Sequence, residues 1–116
     1  MTLRELDNTI AFLLDRRRQV DDFDKLPRYT RNRDLAKNLL IRTIQRVSQE
    51  QFTPHRIKFN ARSIEISAVE AGKDRLIAAQ DFAHAEEAPV AACILSLRMM
   101  NVSINPEWIE DRDGSP

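Results

Sequence analysis

Hydrophobic residues near the start of the chain repeat at the spacing of an α-helix. The apolar positions of this first stripe are Leu3, Leu6, Ile10, Leu13 and Leu14. Because the stripe returns every third or fourth residue, it lies on one helical face and predicts an amphipathic helix. Thr2 and Glu5 precede the stripe at the spacing of a capping box, which marks the beginning of the helix.

A second helical stripe follows a stretch around Pro27 in which the period is lost. Its apolar positions are Ala36, Leu40, Ile44 and Val47. Thr30 or Asn32 supplies the N-cap side chain of this helix. The helix is expected to end before Thr53 and Pro54, because the residue before a proline disfavours helical geometry.

Between residues 56 and 66 the pattern changes from helical spacing to alternation. The apolar members of the alternation are Ile57, Phe59, Ile64 and Ile66. Alternation with a period of two is typical of half-buried strands, so we predict a short hairpin that turns at residues 60–62. The alternative is a helix that begins at Asn60.

Residues 68–92 contain nine alanines in 25 positions. Ser67 and Glu70 form a second capping box at the start of this segment, so we predict a third helix there. Its small side chains would let another helix approach closely. Pro89 then marks the start of a fourth helix. Residues 90–100 are apolar at nine of 11 positions, which is typical of a helix in the centre of a fold.

These elements predict a mainly α fold, a compact bundle of about four helices with the short hairpin near residues 56–66. The two glycines of the chain favour the same class, because all-β domains need many glycines in their tight turns. The predicted domain covers residues 1–105. Residues 106–116 are expected to form a short helical turn and a mobile C-terminal tail.

The charges of the chain are balanced overall but unevenly distributed. Residues 1–60 contain 13 Lys and Arg against 8 Asp and Glu, whereas residues 61–116 contain 5 against 10. This imbalance favours either a surface for a negatively charged partner in the first half or attraction between the two halves.

Few residues of the sequence suggest catalysis. Cys93 lies in the most apolar stretch, where burial raises the pKa of a thiol and leaves it inert. Asp81, His84 and Glu87 are spaced to share a helix face, but a zinc site generally needs more than two histidines and one cysteine. Glycine-rich phosphate loops and hydrolase motifs are absent from the sequence. We therefore expect no enzymatic activity, no catalytic residue, no metal and no cofactor.

The function that the sequence favours is protein–protein binding by a small interaction or regulatory protein that also pairs with itself. The predicted central helix is apolar nearly all round and needs a second surface to cover it. Methionines suit an adaptable contact surface, so the candidate interface residues are Met99 and Met100 at the end of that helix, with Trp108 beyond it.

The alternative function is nucleic-acid binding by an arginine-rich segment. Its candidate phosphate contacts are Arg16, Arg18, Arg28, Arg31, Arg33, Arg42 and Arg46. Arginine suits forked contacts with phosphate. We expect carboxylates of residues 61–116 to neutralise part of this set, because opposite charges in one small domain lie within the screening length of about 8 Å.

The sequence also predicts where the protein resides. Apolar runs near the roughly 20 residues of a membrane span are absent, and so is a signal segment at the start. We therefore expect a cytoplasmic protein that does not associate with membranes.

Overall fold

The computed structural model describes residues 1–14, 27–105, 107 and 109. Within them the elements are α1 Leu3–Leu13, α2 Arg33–Gln51, β1 His55–Phe59, β2 Ser63–Glu70, β3 Lys73–Asp81, a 3₁₀ turn Ala85–Glu87 and α3 Ala88–Met99. The strands form one antiparallel sheet in the order β1-β2-β3. The architecture is α+β, so the prediction of an all-α helical bundle is wrong.

The helices begin where the sequence predicts. The Thr2 hydroxyl accepts a hydrogen bond from the backbone N–H of Glu5 at 3.1 Å, and the Asn32 side chain accepts from the N–H of Leu35 at 3.1 Å. Pro89 occupies the first turn of α3, where its missing N–H costs nothing. Thr2 and Asn32 each accept a hydrogen bond from an amide that a helix start leaves unpaired, and Pro89 has no such amide. The three predicted helix starts are therefore confirmed.

The predicted hairpin near residues 56–66 is confirmed by the pairing of β1 with β2. Ile57 faces Ile66 across the two strands, and residues 60–62 connect them. Direct cross-strand neighbours lie on the same face of a sheet, so the alternating pattern places the two isoleucines together. The alternative helix beginning at Asn60 is therefore wrong.

The alanine-rich segment is where prediction and structure differ most. It contains the end of β2 and the whole of β3, so a helix beginning at Ser67 is wrong. Ala71 and Gly72 have φ angles of 53° and 76°, and two consecutive positive angles are the geometry of a type I′ hairpin turn. Strand pairing overrides the local preference, because helix propensities of ordinary residues differ by at most roughly 0.7 kcal/mol.

The low glycine content also misled the prediction of fold class. Of the two hairpin turns, only the one between β2 and β3 uses positive φ angles, and alanine occupies one of its two positions. The turn at residues 60–62 has no residue with a positive φ. A three-stranded meander therefore needs a single glycine, and glycine scarcity does not exclude a sheet.

The core of the fold lies between α3 and the sheet. Residues 91–97 are buried without interruption, and α3 packs against α2, β2 and β3. In β2 the side chains of Ile64, Ile66 and Ala68 are buried, whereas the residues between them are half-exposed. The helices therefore cover one face of the sheet, and the predicted central position of α3 is confirmed.

A buried carboxylate joins α1 to the residues that precede α2. The backbone N–H of Thr30 donates to Asp7 Oδ1 at 2.9 Å, and Arg4 Nη1 donates to Asp7 Oδ2 at 2.9 Å. Burial raises the pKa of Asp7, and the hydrogen bonds from Thr30 and Arg4 offset only part of that rise. Asp7 thus anchors the beginning of α2 to the first helix.

The C-terminal part of the chain is described at two positions. Within residues 106–116 these are Glu107 and Ile109, so the predicted helical turn and tail otherwise lie outside the described residues. Ile109 is buried in the main hydrophobic core. None of the helices in the described ranges is both long and apolar enough to cross a membrane.

Candidate functional site

A groove of about 280 Å³ lies between the first turns of α2, the β1–β2 turn and the start of α3. Its apolar floor is formed by Ala36, Ile64, Ala88, Pro89 and Ala92. A cavity of roughly 150 Å³ in a protein core is enough to hold benzene. The groove therefore has room for an aromatic side chain together with some of the backbone that carries it.

Small side chains keep this groove open. Ala85 in the 3₁₀ turn lines one wall, and Ala88 and Ala92 in α3 belong to the floor below it. Phe59 and Phe82 supply the aromatic surface. From the sequence, the alanine-rich segment is predicted to offer a face for helix packing. In the structure these alanines instead leave open space at the surface. The segment before them forms β3 and not a helix, and this changes the path of the chain that carries them.

Two cations of α2 stand at this groove. Arg33 and Lys37 are exposed, and a separation of four residues puts them on the same helix face. Lys37 Nζ lies 5.1 Å from the centroid of the Phe59 ring, a cation–π contact that orients the ammonium group. Asp34 is the carboxylate among the lining residues, so the charge of the lining is net positive.

Three of the predicted phosphate contacts lie near this end of α2. Arg28, Arg31 and Arg33 are all exposed. Arg31 precedes the N-cap residue Asn32 and therefore lies just before the helix. The exposed charges thus gather around the start of α2.

The other predicted phosphate contacts are separated from this group. Arg46 lies 13 residues after Arg33 on α2, which is about 20 Å along the helix axis. Arg46 Nε donates to Glu50 Oε1 at 3.0 Å on the same helix. Arg42 is exposed and lies between Arg33 and Arg46 on α2. Two further members of the set lie outside the described residues: Arg16 and Arg18.

Among the described residues, no carboxylate of the range 61–116 forms an ion pair with the arginines at the start of α2. Glu70 Oε1 accepts from Arg75 Nη2 at 2.9 Å, so this carboxylate is used within the sheet. In the part of the chain that the structure describes, Arg31 and Arg33 form no ion pair. Both arginine side chains are exposed.

The predicted protein-interface residues at the end of α3 are only half-buried. Met99 packs against the hydrophobic core. Met100 lines a small cavity of about 120 Å³ together with Leu14, Leu39 and Thr43. Trp108 lies outside the described residues, so these three side chains are not seen to form one surface.

The single cysteine of the chain is in an unreactive environment. Cys93 is buried in α3. Burial, followed by the charge of the Asp7 carboxylate, raises the pKa of its thiol well above the ordinary value. The predicted burial of Cys93 and the raised pKa of its thiol are therefore confirmed, and the thiolate is the reactive form.

A serine–histidine contact lies at the other end of α2. His55 Nδ1 is 2.7 Å from the Thr53 carbonyl oxygen and 3.1 Å from Ser48 Oγ. A carbonyl oxygen only accepts hydrogen bonds, so Nδ1 carries the hydrogen and cannot remove a proton from Ser48. The arrangement holds the turn after α2 in place and lacks the geometry of an activated nucleophile.

Phe52 is an exceptional residue that the sequence analysis missed. It caps α2 with φ 53° and ψ 33°, a left-handed conformation that bulky residues rarely adopt, and its side chain is 94% exposed. Glycine or asparagine usually occupies this position at the end of a helix. The sequence clue was the absence of both residues between the helical stripe and Pro54.

The candidate metal ligands do not come together. Asp81 ends β3, His84 lies in the connection that follows, and Glu87 ends the 3₁₀ turn, so the predicted common helix face is not formed. Among the described residues, no group of three His, Cys, Asp or Glu side chains is arranged to hold a metal ion.

The free edge of the sheet is partly closed by α3. Arg98 Nη1 donates to the Ala79 carbonyl oxygen at 3.1 Å, and Arg98 Nη2 donates to Gln80 Oε1 at 3.3 Å. An uncovered edge strand invites pairing with another chain. Arg98 occupies one of the acceptors that an added strand would use.

Comparison of this chain with protein-family models, with curated proteins and with solved structures finds no match. Function is therefore inferred from the chemistry of its own residues.

Proposed function

We propose that this chain is a non-enzymatic interaction protein that acts by binding other proteins, in the cytoplasm, and that it pairs with itself. The observation that carries the proposal is Phe52, which combines a large exposed apolar ring with an unfavourable backbone conformation. A single exposed apolar residue is ordinary on a protein surface. A ring held outward at a conformational cost of roughly 1–2 kcal/mol is not ordinary.

Hydrogen bonds hold the backbone on both sides of Phe52. The N–H of Phe52 donates to the Gln49 carbonyl at 3.3 Å, and the N–H of Thr53 donates to the Ser48 carbonyl at 3.1 Å. The hydrogen bonds of His55 fix the next turn of the chain. A backbone that is already held at this position loses less conformational entropy on binding, which favours association.

A shallow depression lies at the same end of α2 as Phe52. Its lining residues include Ile44, Ser48, Pro54 and His55. In a two-fold symmetric pair the same patch occurs on both subunits, so the ring of each would enter the depression of the other. Burying a phenylalanine contributes about 1.5–3 kcal/mol, and the pair contains two such contacts.

The non-enzymatic part of the proposal is supported by the environments of the nucleophile candidates. Cys93 is buried with a raised pKa, and His55 uses the nitrogen nearest Ser48 to hold a carbonyl oxygen.

Light scattering after size-exclusion chromatography tests the self-pairing. We expect a dimer at high micromolar concentration for the natural chain and a monomer for Phe52→Asn, because asparagine accepts the left-handed conformation and removes the ring. Leu76→Asn is the matched control, since Leu76 is 57% exposed on β3, away from α2, and its replacement should leave the dimer intact. A monomeric natural chain, or a Phe52→Asn dimer, would contradict the proposal.

Nucleic-acid binding is the second candidate function. It is favoured by the exposure of Arg28, Arg31 and Arg33 around one end of α2. Tyr29 among them is buried and offers no ring for base stacking, so such binding would depend on phosphate contacts and weaken steeply with salt. Gel retardation of duplex and single-stranded DNA and RNA at low salt tests it, and no retardation would exclude it.

A further inference from the structure

We infer that the groove between α2, the β1–β2 turn and α3 binds an acidic segment of a partner protein, which places one aromatic side chain on the apolar floor. The inference rests on the proposed function only in taking the partner to be a protein. The groove lies at the opposite end of α2 from Phe52, so the two surfaces are tested separately.

The shape of the groove selects the side chain that enters it. The floor is made of alanine, proline and isoleucine side chains, which offer no polar group to an incoming atom. Phe59 is 44% exposed at the groove, and Phe82 also lines it, so an aromatic ring finds edge or face contacts with both. The volume of about 280 Å³ suits one side chain better than a complete cofactor.

The charges around the groove select the residues that flank this side chain. Arg33 and Lys37 stand on one wall, and Arg31 is exposed two residues before Arg33. Neither arginine is used in an ion pair with a described residue, and Lys37 rests on the Phe59 ring with its ammonium donors available. Carboxylates beside the bound ring would therefore meet three cations, in charge-assisted hydrogen bonds.

The same features disfavour a nucleic acid in this groove. The apolar floor has no donor for a phosphate, and Lys37 already covers one face of the Phe59 ring on which a base would stack. The Asn32 side chain occupies a first-turn amide of α2, that of Leu35, which would otherwise be offered to an anion. An acidic peptide uses the floor and the cations together, whereas a phosphate chain uses the cations alone.

Fluorescence anisotropy of a labelled peptide tests the inference on the full chain. The probe is a short peptide of Glu, Asp and Ser residues around a single Trp. Its two controls are the same peptide with Ser in place of Trp and a peptide in which Lys replaces the acidic residues. We expect binding of the first peptide, weaker binding of the second and none of the third.

Charge reversal on the groove wall should remove this binding. The double variant Arg33→Glu and Lys37→Glu is expected to weaken peptide binding by about tenfold or more, because each substitution replaces an attractive contact with a repulsive one. Ala85→Glu places an anion on the opposite wall at an exposed position and is expected to act in the same direction without disturbing the core. Lys73→Glu is the matched control, since Lys73 is exposed beside the β2–β3 turn, at the other end of the sheet.

Each outcome either supports or overturns the groove as the binding site of the acidic peptide. Loss of binding in the double variant and in Ala85→Glu, with retention in Lys73→Glu and an unchanged melting temperature, supports the groove as the site. Equal binding by all variants, or no binding by the natural chain, overturns it. Binding of a single-stranded oligonucleotide in place of the peptide, with loss of that binding in the double variant, also overturns the inference. In all three overturning cases the self-pairing through Phe52 can still be observed by light scattering, so failure here is distinct from failure of the proposed function.

Discussion

The two ends of α2 are built in opposite ways. At the start, Asn32 caps the helix with a favoured side chain, and Asp7 holds the preceding residue Thr30 in place. At the end, Phe52 occupies a left-handed position and exposes nearly its whole side chain to water. The first end follows the local preferences of its residues, whereas the second departs from them.

This difference separates an end of α2 whose residues favour the fold from an end whose capping residue works against it. The start of α2 is stabilised by its cap, and the cations of the groove project from a helix that is already well formed. The end of α2 gives up backbone stability to present a ring. Departures of this kind from local preference tend to occur at functional sites, so the two ends predict opposite responses to substitution.

The largest expected effect comes from removing the anchor of the first end. Asp7→Ala leaves the buried N–H of Thr30 without its acceptor, and we expect the free energy of unfolding to fall by about 1–3 kcal/mol. Asp7→Asn is the control, because an amide oxygen can still accept from Thr30. Urea unfolding of both variants measures the difference, and equal losses would show that the hydrogen bond is not the cause.

Removal of the cap itself should cost less. Asn32→Ala deletes the acceptor for the Leu35 N–H, and such changes typically lower stability by about 1 kcal/mol. Asn32→Ser keeps a capping oxygen and should stay near the natural value in the same urea experiment. If neither substitution lowered the free energy of unfolding, the start of α2 would not depend on its cap, and the contrast between the two ends would be wrong.

The second end should respond in the opposite direction. Phe52→Asn relieves the left-handed conformation and removes almost no packing, so we expect the monomer to become more stable by up to about 1 kcal/mol. Thermal unfolding at a low protein concentration, where the dimer is absent, should show a melting temperature higher by a few degrees. A lower melting temperature would mean that Phe52 supports the fold and that the comparison of the two ends fails.

The smallest expected effect is a pH dependence of the free energy of unfolding that comes from Asp7 at the start of α2. Burial raises the pKa of Asp7 above its ordinary value of 3.8, so the folded state holds the proton more tightly than the unfolded state does. The contribution of Asp7 to stability is therefore greatest below pH 3.8 and declines as the pH rises through the raised pKa. Asp7→Asn lacks this titration. The stability of that variant relative to the natural chain should rise over the same interval, and a constant difference across pH would contradict the assignment.

Several features could be predicted from the sequence because they depend on neighbouring residues. Thr2, Asn32 and Pro89 start their helices through contacts or missing donors within one turn. The alternation around Ile57 and Ile66 places both on one face of a hairpin that closes over three residues. The unreactive state of Cys93 follows from the apolar residues around it in α3.

The groove could not be predicted in this way. Its walls unite Lys37, Phe59 and Ala85, which lie in three different elements, and no local pattern states how those elements meet. The exposure of Arg33 beside this groove likewise depends on how α2 meets the β1–β2 turn.

The sequence by itself determined the starts of the three helices and the apolar faces of α1, α2 and the β1–β2 hairpin, because capping and periodicity act within a few residues of the chain. The tertiary structure decided that the alanine-rich segment forms β3, since its pairing with β2 and the burial of Ala78 outweigh a weak local preference. It also decided which charges face one another. Those contacts join residues far apart in the chain, and their energies exist only after the fold has brought them together.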